Sequence, residues 1–309
     1  MTLRLFGKTQ VILNREKVAF TFGNFDGVHL GHVNLIRQLC SFGLPSVVLT
    51  FDPHPSQILS PQEAKPQLED LTIRIQRLLD AGVSAVAVQS FDSDFSQLTP
   101  DEFCSSYLEG HFKLGHVLFG YNSRYGKGGR GNYTHFKSWA DEKQISCSRV
   151  LPFCIGTTIV SSSQIRQSLE SGDLGFANVM LGRPYFLSGE VVAGDKLARQ
   201  LGFPTANLEL EGKDFLPANG VYACEVELTK GKVRMPAVVN IGVRPTVSQQ
   251  SRRRAEVHIF DLDENLYGQN LGLWLLRYLR KEQKFSGVEE LKIQIAEDVA
   301  NAKSFFKVT

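Results

Sequence analysis

The sequence predicts an α/β protein with a parallel sheet in its first part and a smaller antiparallel β structure in its second part. Up to residue 182, apolar runs alternate with segments of helical periodicity, a pattern typical of a parallel sheet covered by helices. After Gly182-Arg-Pro184, β-rich segments follow one another and a single helix ends the chain. The 309 residues suffice for two domains, which we expect at 1–182 and 183–309.

Five strands and four helices are predicted to alternate in the first domain. The strands are expected at 18–22, 46–51, 83–88, 116–120 and 145–150. The helices are expected to begin near Leu30, Glu69, Thr99 and Tyr133, and Thr99-Pro-Asp-Glu102 has the residues of a capping box. Ligands of such sheets bind beyond the carboxyl ends of the strands, so we look for a site in the loops that follow them.

The second domain is predicted to be a small antiparallel sheet or barrel. Its strands are expected at 186–192, 220–228, 232–241, 255–262 and 271–279, with a hairpin turn at Lys230-Gly231. A capping box at Ser286-Gly-Val-Glu289 is expected to open the terminal helix.

Composition limits the partners that the protein can have. The 34 Lys and Arg residues nearly balance the 32 Asp and Glu residues, so no overall field attracts nucleic acid or an anionic membrane. The five cysteines form no CxxC pair, as is usual in a reducing cytosol. Neither a secretory signal nor an apolar run of ~18 residues is found. We expect a cytoplasmic protein that acts on small molecules and contacts neither nucleic acid nor membrane.

Residues 23–32, GNFDGVHLGH, lie between a predicted strand and a predicted helix. Glycines let the backbone approach a phosphate, and a helix N-terminus offers unpaired N–H groups. His29 and His32 fall on one face of the first helical turn and can donate to phosphate oxygens without a metal. This arrangement suits nucleotidyl transfer, in which charge builds on the α-phosphate and the leaving pyrophosphate. The alternative is a pair of exposed histidines near a helix cap.

Three further segments are candidates for the same site. His54, in TFDPHP, ends the second predicted strand, although two prolines there could simply fix a turn. The glycine-rich loop 120–131 carries Asn122, Arg124, Lys127 and Arg130, and its alternative is a solvated loop. Residues 161–166, SSSQIR, could hold a phosphate or supply an ordinary serine N-cap.

A second constellation lies in GDKLARQLGFPTAN and in a later strand. Thr205 and Asn207 offer neutral oxygens suited to Mg²⁺ that nucleotide phosphates already hold, and Gly194 and Arg199 could cover those phosphates. Glu256, in AEVHIFD, could act as general base toward a substrate hydroxyl. The alternative is a plain loop and a solvent-facing carboxylate.

Together these motifs resemble the bacterial bifunctional riboflavin kinase/FAD synthetase family. The matching strings run in the family's order over nearly the whole chain: GNFDGVHLGH, TFDPHP, the loop after Gly120, VSSSQIRQSL, ANVMLGRPY, LGFPTANL, GVYACEVEL, NIGVRPT, EVHIFD, LYG and LRKEQKFSGVEEL. The resemblance implies a Rossmann-like nucleotidyltransferase domain followed by a small β-barrel kinase with a terminal helix. Riboflavin and ATP would give FMN, and FMN and ATP would give FAD and pyrophosphate, with Mg²⁺ as cofactor.

The resemblance also implies residue roles. His29 and His32 would stabilise the adenylyl transition state, and Glu256 would be the kinase base. The ATP site of the first domain would be lined by Gly23, Asn24, Asp26, Asn122, Ser162, Ser163 and Arg166. In the kinase, Thr205 and Asn207 would bind Mg²⁺ and nucleotide, and the other nucleotide contacts would be Gly194, Arg199, Ile259, Asp261 and Tyr267. Arg280 and Phe285 would contact flavin.

Two departures from the family pattern affect these expectations. Ser123 stands where the family usually has an aromatic residue, which predicts weaker flavin packing in the first domain. Leu197-Ala198 replaces the usual Arg-Gly, and losing the glycine restricts positive φ in the kinase loop.

Two other hypotheses remain at the level of sequence. In the first, the chain makes only FAD and the barrel merely holds flavin. In the second, it is a flavin- or RNA-binding regulator that uses the arginines at 252–254 and the loop after Gly120. We expect a monomer or a weak homo-oligomer.

Overall fold

The computed structural model describes residues 2–193, 201–210, 215–228, 233–243, 253–262 and 264–308. The chain folds as two units, Met1–Ser162 and Ser163–Thr309. Four of the sequence-based predictions lie outside the described residues: those for Gly194, Leu197-Ala198, Arg199 and the turn at Lys230-Gly231.

A six-stranded sheet organises the first unit. Its strands are β1 Leu3–Gly7, β2 Lys17–Phe22, β3 Ser46–Asp52, β4 Ala85–Ser90, β5 Lys113–Phe119 and β6 Ser146–Arg149. They lie in the order β1-β4-β3-β2-β5-β6, and β2 to β6 are mutually parallel, which confirms the five-stranded parallel prediction. The prediction missed β1, which pairs antiparallel with β4 at the edge.

Helices connect these strands. They are α1 Gln10–Leu13, α2 Leu30–Cys40, α3 Pro55–Leu59, α4 Leu71–Asp80, α5 Ser93–Ser96, α6 Pro100–Glu102, α7 Glu109–His111 and α8 Tyr133–Glu142. A π-helical segment, Phe103–Leu108, joins α6 to α7, and a short hairpin of β7 Cys154–Ile155 and β8 Thr158–Ile159 follows β6. The capping box is confirmed, since Thr99 and Glu102 each accept a hydrogen bond from the other's backbone N–H.

Both faces of this sheet are buried. Along β2, Val18, Phe20 and Phe22 pack into one apolar cluster, whereas Ala19 packs into the other. Aromatic rings dominate the first cluster, where Phe22 and Phe119 meet edge to face with centroids 5.2 Å apart. Burial on both faces explains why the strands read as continuous apolar runs and not as alternating ones.

The second unit contains a closed antiparallel barrel. Its strands are β9 Tyr185–Val192, β10 Ala206–Glu209, β11 Gly220–Leu228, β12 Arg234–Val243, β13 Arg253–Ile259 and β14 Asn270–Lys281, in the closed order β10-β13-β12-β11-β14-β9. The unit also contains α10 Leu174–Leu181 and the terminal helix α11 Val288–Val308, while α9 Ser162–Ser171 begins at the boundary. The barrel and its terminal helix confirm the predicted fold class. Within the described ranges, no helix is long and apolar enough to cross a membrane.

The capping box predicted at Ser286 and Glu289 is wrong by one position. The backbone N–H and the hydroxyl of Ser286 both donate to the carboxylate of Glu290, at 2.9 and 2.7 Å. Because α11 begins at Val288, Glu290 is its third residue, and a side chain at that position is the one that reaches back over the helix start.

Candidate active sites

The strand order of the first unit creates a crevice at the carboxyl end of β2. From β2 the chain goes to β3 on one side of the sheet, and β5 lies on the other side of β2. Where the strand order reverses in this way, the loops point away from each other and leave room for a ligand. The two loops beside this crevice are 23–29, after β2, and 120–131, after β5. The topology therefore brings two of the predicted nucleotide-binding segments to the same edge of the sheet.

The two predicted catalytic histidines lie together at the start of α2. Their rings stack with centroids 3.7 Å apart. His29 is the N-cap residue, and its Nδ1 accepts a hydrogen bond from the backbone N–H of His32 at 3.3 Å. Because Nδ1 is an acceptor, the neutral ring of His29 carries its proton on Nε2. A Cβ atom at Gly31 would lie 3.1 Å from the His29 ring, so this glycine makes room for the imidazole.

Loop 23–29 is held from several directions. The carbonyl of Asn24 accepts hydrogen bonds from Thr50 Oγ1 at 3.1 Å and from Arg74 Nη1 at 2.7 Å. Buried Asp26 accepts a bond from the backbone N–H of Leu68 at 2.8 Å. Asn24 and Asp26 were predicted as ATP contacts; the structure gives both of them a second role as fixed points of the loop.

His54 extends this cluster from the end of β3. It is the N-cap of α3, and its Nδ1 accepts a hydrogen bond from the backbone N–H of Ser56 at 3.2 Å. Its Nε2 lies 3.0 Å from Nδ2 of Asn24. The segment after β3 is thus a helix start that contacts the GNFDG loop, and His54 has polar partners on both sides of its ring.

The glycine-rich loop is tied to the unit by buried Tyr125. The backbones of Tyr125 and Gly131 bond to each other in both directions, and a Cβ atom at Gly131 would lie 2.6 Å from the tyrosine ring. Gly126 has φ +69°, and a Cβ there would come within 2.7 Å of Pro100. Lys127 N donates to the carbonyl of Leu98. The loop is therefore a packed structure around an aromatic anchor, although its tip remains exposed.

The remaining predicted contacts of the first ATP site lie on this loop and on α9. Asn122 is exposed in the turn directly after β5, and Ser123 folds back so closely that a Cβ on Gly120 would lie 2.7 Å from its hydroxyl oxygen. The hydroxyl of Ser162 donates to the carbonyl of Asp26 at 2.8 Å. Ser163 and Arg166 belong to the second unit, where the guanidinium of Arg166 lies 5.7 Å from the Phe215 ring centroid.

In the second unit, a pocket of about 320 Å³ brings together four of the predicted kinase residues. These are Thr205, Asn207, Ile259 and Tyr267. Glu264 and Asn265 also line this pocket, and sequence reasoning did not single them out. Asp261 lies outside the lining, in the turn after β13, where its φ is +56°.

Cross-strand register places Glu256 beside two asparagines. Asn207 on β10 is directly opposite Glu256 on β13, and Asn240 on β12 is opposite Glu256 on its other side. Side chains of opposite residues share one face of a sheet, so the three polar groups form a row across three strands. The interior face of the same strands carries buried Leu208 and Ala255. Asn240 was missed, and its place in the NIGVRPT string was the only signal of it.

The donor set of this region fits a cation that arrives with its nucleotide. Asn207 is 7% exposed and lines the pocket together with Thr205, so two hard oxygen ligands are available there. Among the described residues, no group of three or more His, Cys, Asp or Glu side chains could hold a metal by itself. Mg²⁺ commonly keeps phosphate and water ligands and takes few from the protein, and this arrangement accommodates that preference.

The two predicted flavin contacts lie close to each other, Arg280 near the end of β14 and Phe285 in the segment that follows it. Arg280 Nε and Nη2 both donate to the carboxylate of Asp298 on α11, each at 2.7 Å. The Arg280 guanidinium also lies 5.9 Å from the Phe285 ring centroid. Arg280 thus joins β14 to the terminal helix, which sequence reasoning did not predict.

Comparisons with known proteins match both units. A family model described as FAD synthetase matches residues 12–164, and one described as riboflavin kinase matches residues 181–306. The chain is 38% identical over 299 residues to the bifunctional riboflavin kinase/FMN adenylyltransferase of Escherichia coli strain K12, covering 96% of this chain and 95% of that protein. The protein of the same description from Bacillus subtilis strain 168 is 36% identical, with coverages of 94% and 93%.

A solved structure has the same arrangement of elements along nearly the whole chain. It is that of a Streptococcus pneumoniae protein described as a macrolide-efflux protein, with a TM-score of 0.85 and 28% identity. The match covers 93% of this chain and 94% of that one.

Proposed function

The chain belongs to the family of bifunctional riboflavin kinase/FMN adenylyltransferases, and we propose that the two sites described above carry its two reactions. The enzyme transfers the γ-phosphoryl group of ATP to riboflavin to give FMN, and it then joins FMN to the adenylyl group of ATP to give FAD and pyrophosphate. The observation that carries the proposal is the separation of the candidate groups: His29 and His32 lie in Met1–Ser162, whereas Asn207 and Glu256 lie in Ser163–Thr309.

In FMN adenylylation the FMN phosphate attacks the α-phosphorus of ATP, and the bond to pyrophosphate breaks. The attacking phosphate is already largely dianionic near neutral pH because its second pKa is ~6, so it needs no base. What the reaction needs is donors toward the charge that builds up, and His29, His32 and the N–H groups at the start of α2 supply them. The proposed ATP contacts are Gly23, Asn24, Asp26, Asn122, Ser162, Ser163 and Arg166.

In the kinase reaction a ribityl hydroxyl attacks the γ-phosphorus of ATP and must lose its proton. A hydroxyl is a weak acid, so a carboxylate base accelerates this step, and Glu256 takes that role. Mg²⁺, when bound with the nucleotide through Thr205 and Asn207, would neutralise phosphate charge. The other proposed contacts are Gly194, Arg199, Ile259, Asp261 and Tyr267 for nucleotide, and Arg280 and Phe285 for flavin.

The functional domains are proposed at 1–182 for the adenylyltransferase and 183–309 for the kinase. The two matched family models, at 12–164 and 181–306, support that division. The riboflavin kinase match over the barrel also sets aside the hypothesis of a chain that makes only FAD. It stays a prediction that the enzyme is cytoplasmic, that it is a monomer or weak homo-oligomer, and that it binds no nucleic acid.

A chromatographic time course tests the division of labour. Wild-type enzyme with riboflavin, ATP and Mg²⁺ should form FMN first and FAD later. His29→Ala should accumulate FMN and lose FAD synthesis by about 100-fold or more, because one preorganised donor to a developing charge contributes roughly that factor. Glu256→Gln should slow riboflavin phosphorylation by about 100-fold or more and leave the adenylylation of supplied FMN unchanged.

Two matched variants control for nonspecific effects. His111→Ala removes an exposed histidine of the first unit, and Glu225→Gln removes a carboxylate of β11 that pairs with Arg234. Both should retain both activities. Equal loss of the two activities in His29→Ala, or a Glu256→Gln kinase as active as Glu225→Gln, would show that the sites are assigned wrongly.

A further inference from the structure

The backbone of loop 23–29 has an unfavourable conformation at two positions. Phe25 has φ +51° and Val28 has φ +32°, both in the region that side chains of L-residues avoid. A residue in this region is strained and persists only where the surroundings fix its conformation. Contacts from outside the GNFDGVHLGH string must therefore hold this loop.

Arg74 makes the shortest of the contacts to the peptide that precedes Phe25. This arginine is 0% exposed on α4, and its Nη1 donates to the carbonyl of Asn24 at 2.7 Å. Thr50 Oγ1 donates to the same oxygen at 3.1 Å. Among the described residues, Nε and Nη2 of Arg74 have no hydrogen-bond partner. The Asn24 carbonyl is therefore the main polar contact of a fully buried guanidinium.

Arg74 also has an electrostatic function next to this loop. Desolvation by burial lowers the pKa of Arg74, and the nearby carboxylates of Asp26 and Glu69 raise it. Both carboxylates are buried, at 2% and 4% exposure, and Glu69 also pairs with Arg77 at 2.7 Å. Arg74 thus offsets the charge of Asp26, which belongs to the loop itself.

We propose that Arg74 is a positioning residue of the adenylyltransferase site. It fixes the Asn24–Phe25 peptide and thereby the position of loop 23–29 relative to the phosphates of ATP. Arg74 lies on α4 and belongs to none of the strings that indicated the site. It acts through Asn24 and Asp26 and not by touching the reacting atoms. The inference rests on the proposal that this loop lines the ATP site.

A shift of this loop affects catalysis more than substrate binding. The donors on the loop and at His29 act on charge that develops in the transition state, so a shift of the loop weakens binding of the transition state more than binding of the substrates. Small misplacements of such donors cost on the order of 10- to 100-fold in rate. Loss of Arg74 should therefore lower kcat for FAD synthesis more than it raises KM.

The experiment compares four variants in the full-length enzyme, with kcat and KM for FAD synthesis, the rate of riboflavin phosphorylation and urea unfolding as readouts. Arg74→Met should lower kcat for FAD synthesis by at least about tenfold and change KM for ATP by less than about threefold. Arg74→Lys, which keeps the charge and one donor, should restore most of that kcat. Thr50→Val should lower kcat in the same direction by a smaller factor, while Thr50→Ser keeps the hydroxyl and should match wild type. Phosphorylation of riboflavin should not change in any of them.

Arg77→Met is the matched control, because it removes another arginine of the same helix, one that is partly buried and pairs with Glu69 and not with Asn24. It should lower the urea midpoint and leave kcat unchanged. The proposal is overturned if Arg74→Met and Arg77→Met lower kcat equally, or if Arg74→Met alters KM alone. If Arg74→Met does not fold, an unchanged kcat in Thr50→Val overturns it.

His29→Ala separates this inference from the proposed function. If His29→Ala still makes FAD, the site itself is assigned wrongly. If His29→Ala is inactive while Arg74→Met and Thr50→Val retain wild-type kcat, the site is correct and only the role of Arg74 fails.

Discussion

The hydroxyl of Tyr125 and Nδ1 of His135 lie 2.7 Å apart, and this contact joins the glycine-rich loop to α8. Nε2 of the same histidine lies 3.2 Å from a carboxylate oxygen of Asp101 on α6. Burial raises the pKa of Tyr125, so its hydroxyl keeps its proton at working pH. A chain of polar contacts therefore links two helices to the loop that carries Asn122.

Removal of that hydroxyl should weaken FAD synthesis selectively. Tyr125→Phe keeps the ring between Gly131 and the core but loses the contact with His135. We expect kcat/KM for FMN adenylylation to fall by about three- to tenfold, and the free energy of unfolding to fall by about 1 kcal/mol, the usual contribution of one hydrogen bond. Steady-state kinetics with supplied FMN and urea unfolding measure the two effects.

Tyr107→Phe is the matched control for this prediction. Tyr107 is equally buried, and its hydroxyl donates to Gln89 Oε1 at 2.7 Å, away from the loop. Tyr107→Phe should lower the free energy of unfolding by a similar amount without changing kcat/KM for FMN adenylylation. Identical kinetic losses in the two variants would mean that Tyr125 contributes only to the core.

The capping box should make part of the stability of the first unit dependent on pH. Hydrogen bonds from the backbone N–H and the hydroxyl of Thr99 lower the pKa of Glu102. A carboxylate whose pKa is lowered in the folded state stabilises the fold above its unfolded pKa, and this contribution is lost as pH falls through the folded pKa. The melting temperature of Glu102→Gln should therefore lie below that of wild type at pH 7, and the difference should shrink below about pH 4.

Calorimetry from pH 7 to pH 3 checks this prediction. Glu290, whose pKa is lowered in the same way by Ser286, provides an independent case in the second unit. A difference between Glu102→Gln and wild type that stays constant over this range would contradict the assigned role of the hydrogen bonds.

Asn207→Ala should raise the Mg²⁺ requirement of the kinase alone. Loss of one oxygen ligand should increase the Mg²⁺ concentration for half-maximal riboflavin phosphorylation by about tenfold or more. FMN adenylylation by the same variant should show the wild-type Mg²⁺ dependence. The control is Asn219→Ala, which removes an amide that donates to Glu282 in the same unit. An unchanged Mg²⁺ titration in Asn207→Ala would exclude Asn207 as a ligand.

The ion pair between Arg280 and Asp298 should stabilise the barrel and its terminal helix. Their side chains are 20% and 7% exposed, and removal of one partner of such a pair leaves a poorly solvated charge. Asp298→Asn should lower the free energy of unfolding of the second unit by about 2–4 kcal/mol. Glu225→Gln, which removes the more exposed pair with Arg234, should cost less than about 1 kcal/mol.

The same pair tests the predicted flavin contact. If Arg280 touches riboflavin, Arg280→Met should raise KM for riboflavin well beyond the value for Asp298→Asn. Equal KM values in the two variants would restrict Arg280 to holding the helix.

Sequence periodicity predicted the elements that are long and buried. The helix at Tyr133–Glu142 and the strand at Gly220–Leu228 have the predicted bounds, because their apolar positions repeat over several residues. β1 and β10 were missed, since five and four residues carry too little pattern and become strands only by pairing with distant segments. Local sequence does not encode such long-range pairing.

The residues of the candidate sites also divide into those that local sequence indicates and those that depend on distant contacts. His29, His32, Thr205 and Asn207 could be singled out from the sequence because each belongs to a short local motif, GNFDGVHLGH or LGFPTANL. Arg74 was missed because 50 positions separate it from Asn24, and its helix reads as an ordinary amphipathic one. The row of Asn207, Glu256 and Asn240 depends on strand register, which alternation alone does not fix.

Closure of the barrel also bears on how molecules of this protein meet at high concentration. β9 and β10 pair with neighbours on both sides, so in the described part of the barrel no strand presents an open row of backbone amides. The sheet of the first unit ends in β1 and β6, which are only five and four residues long. Short edges are poor templates for strand addition, and the topology thereby limits aggregation through β pairing in the folded state.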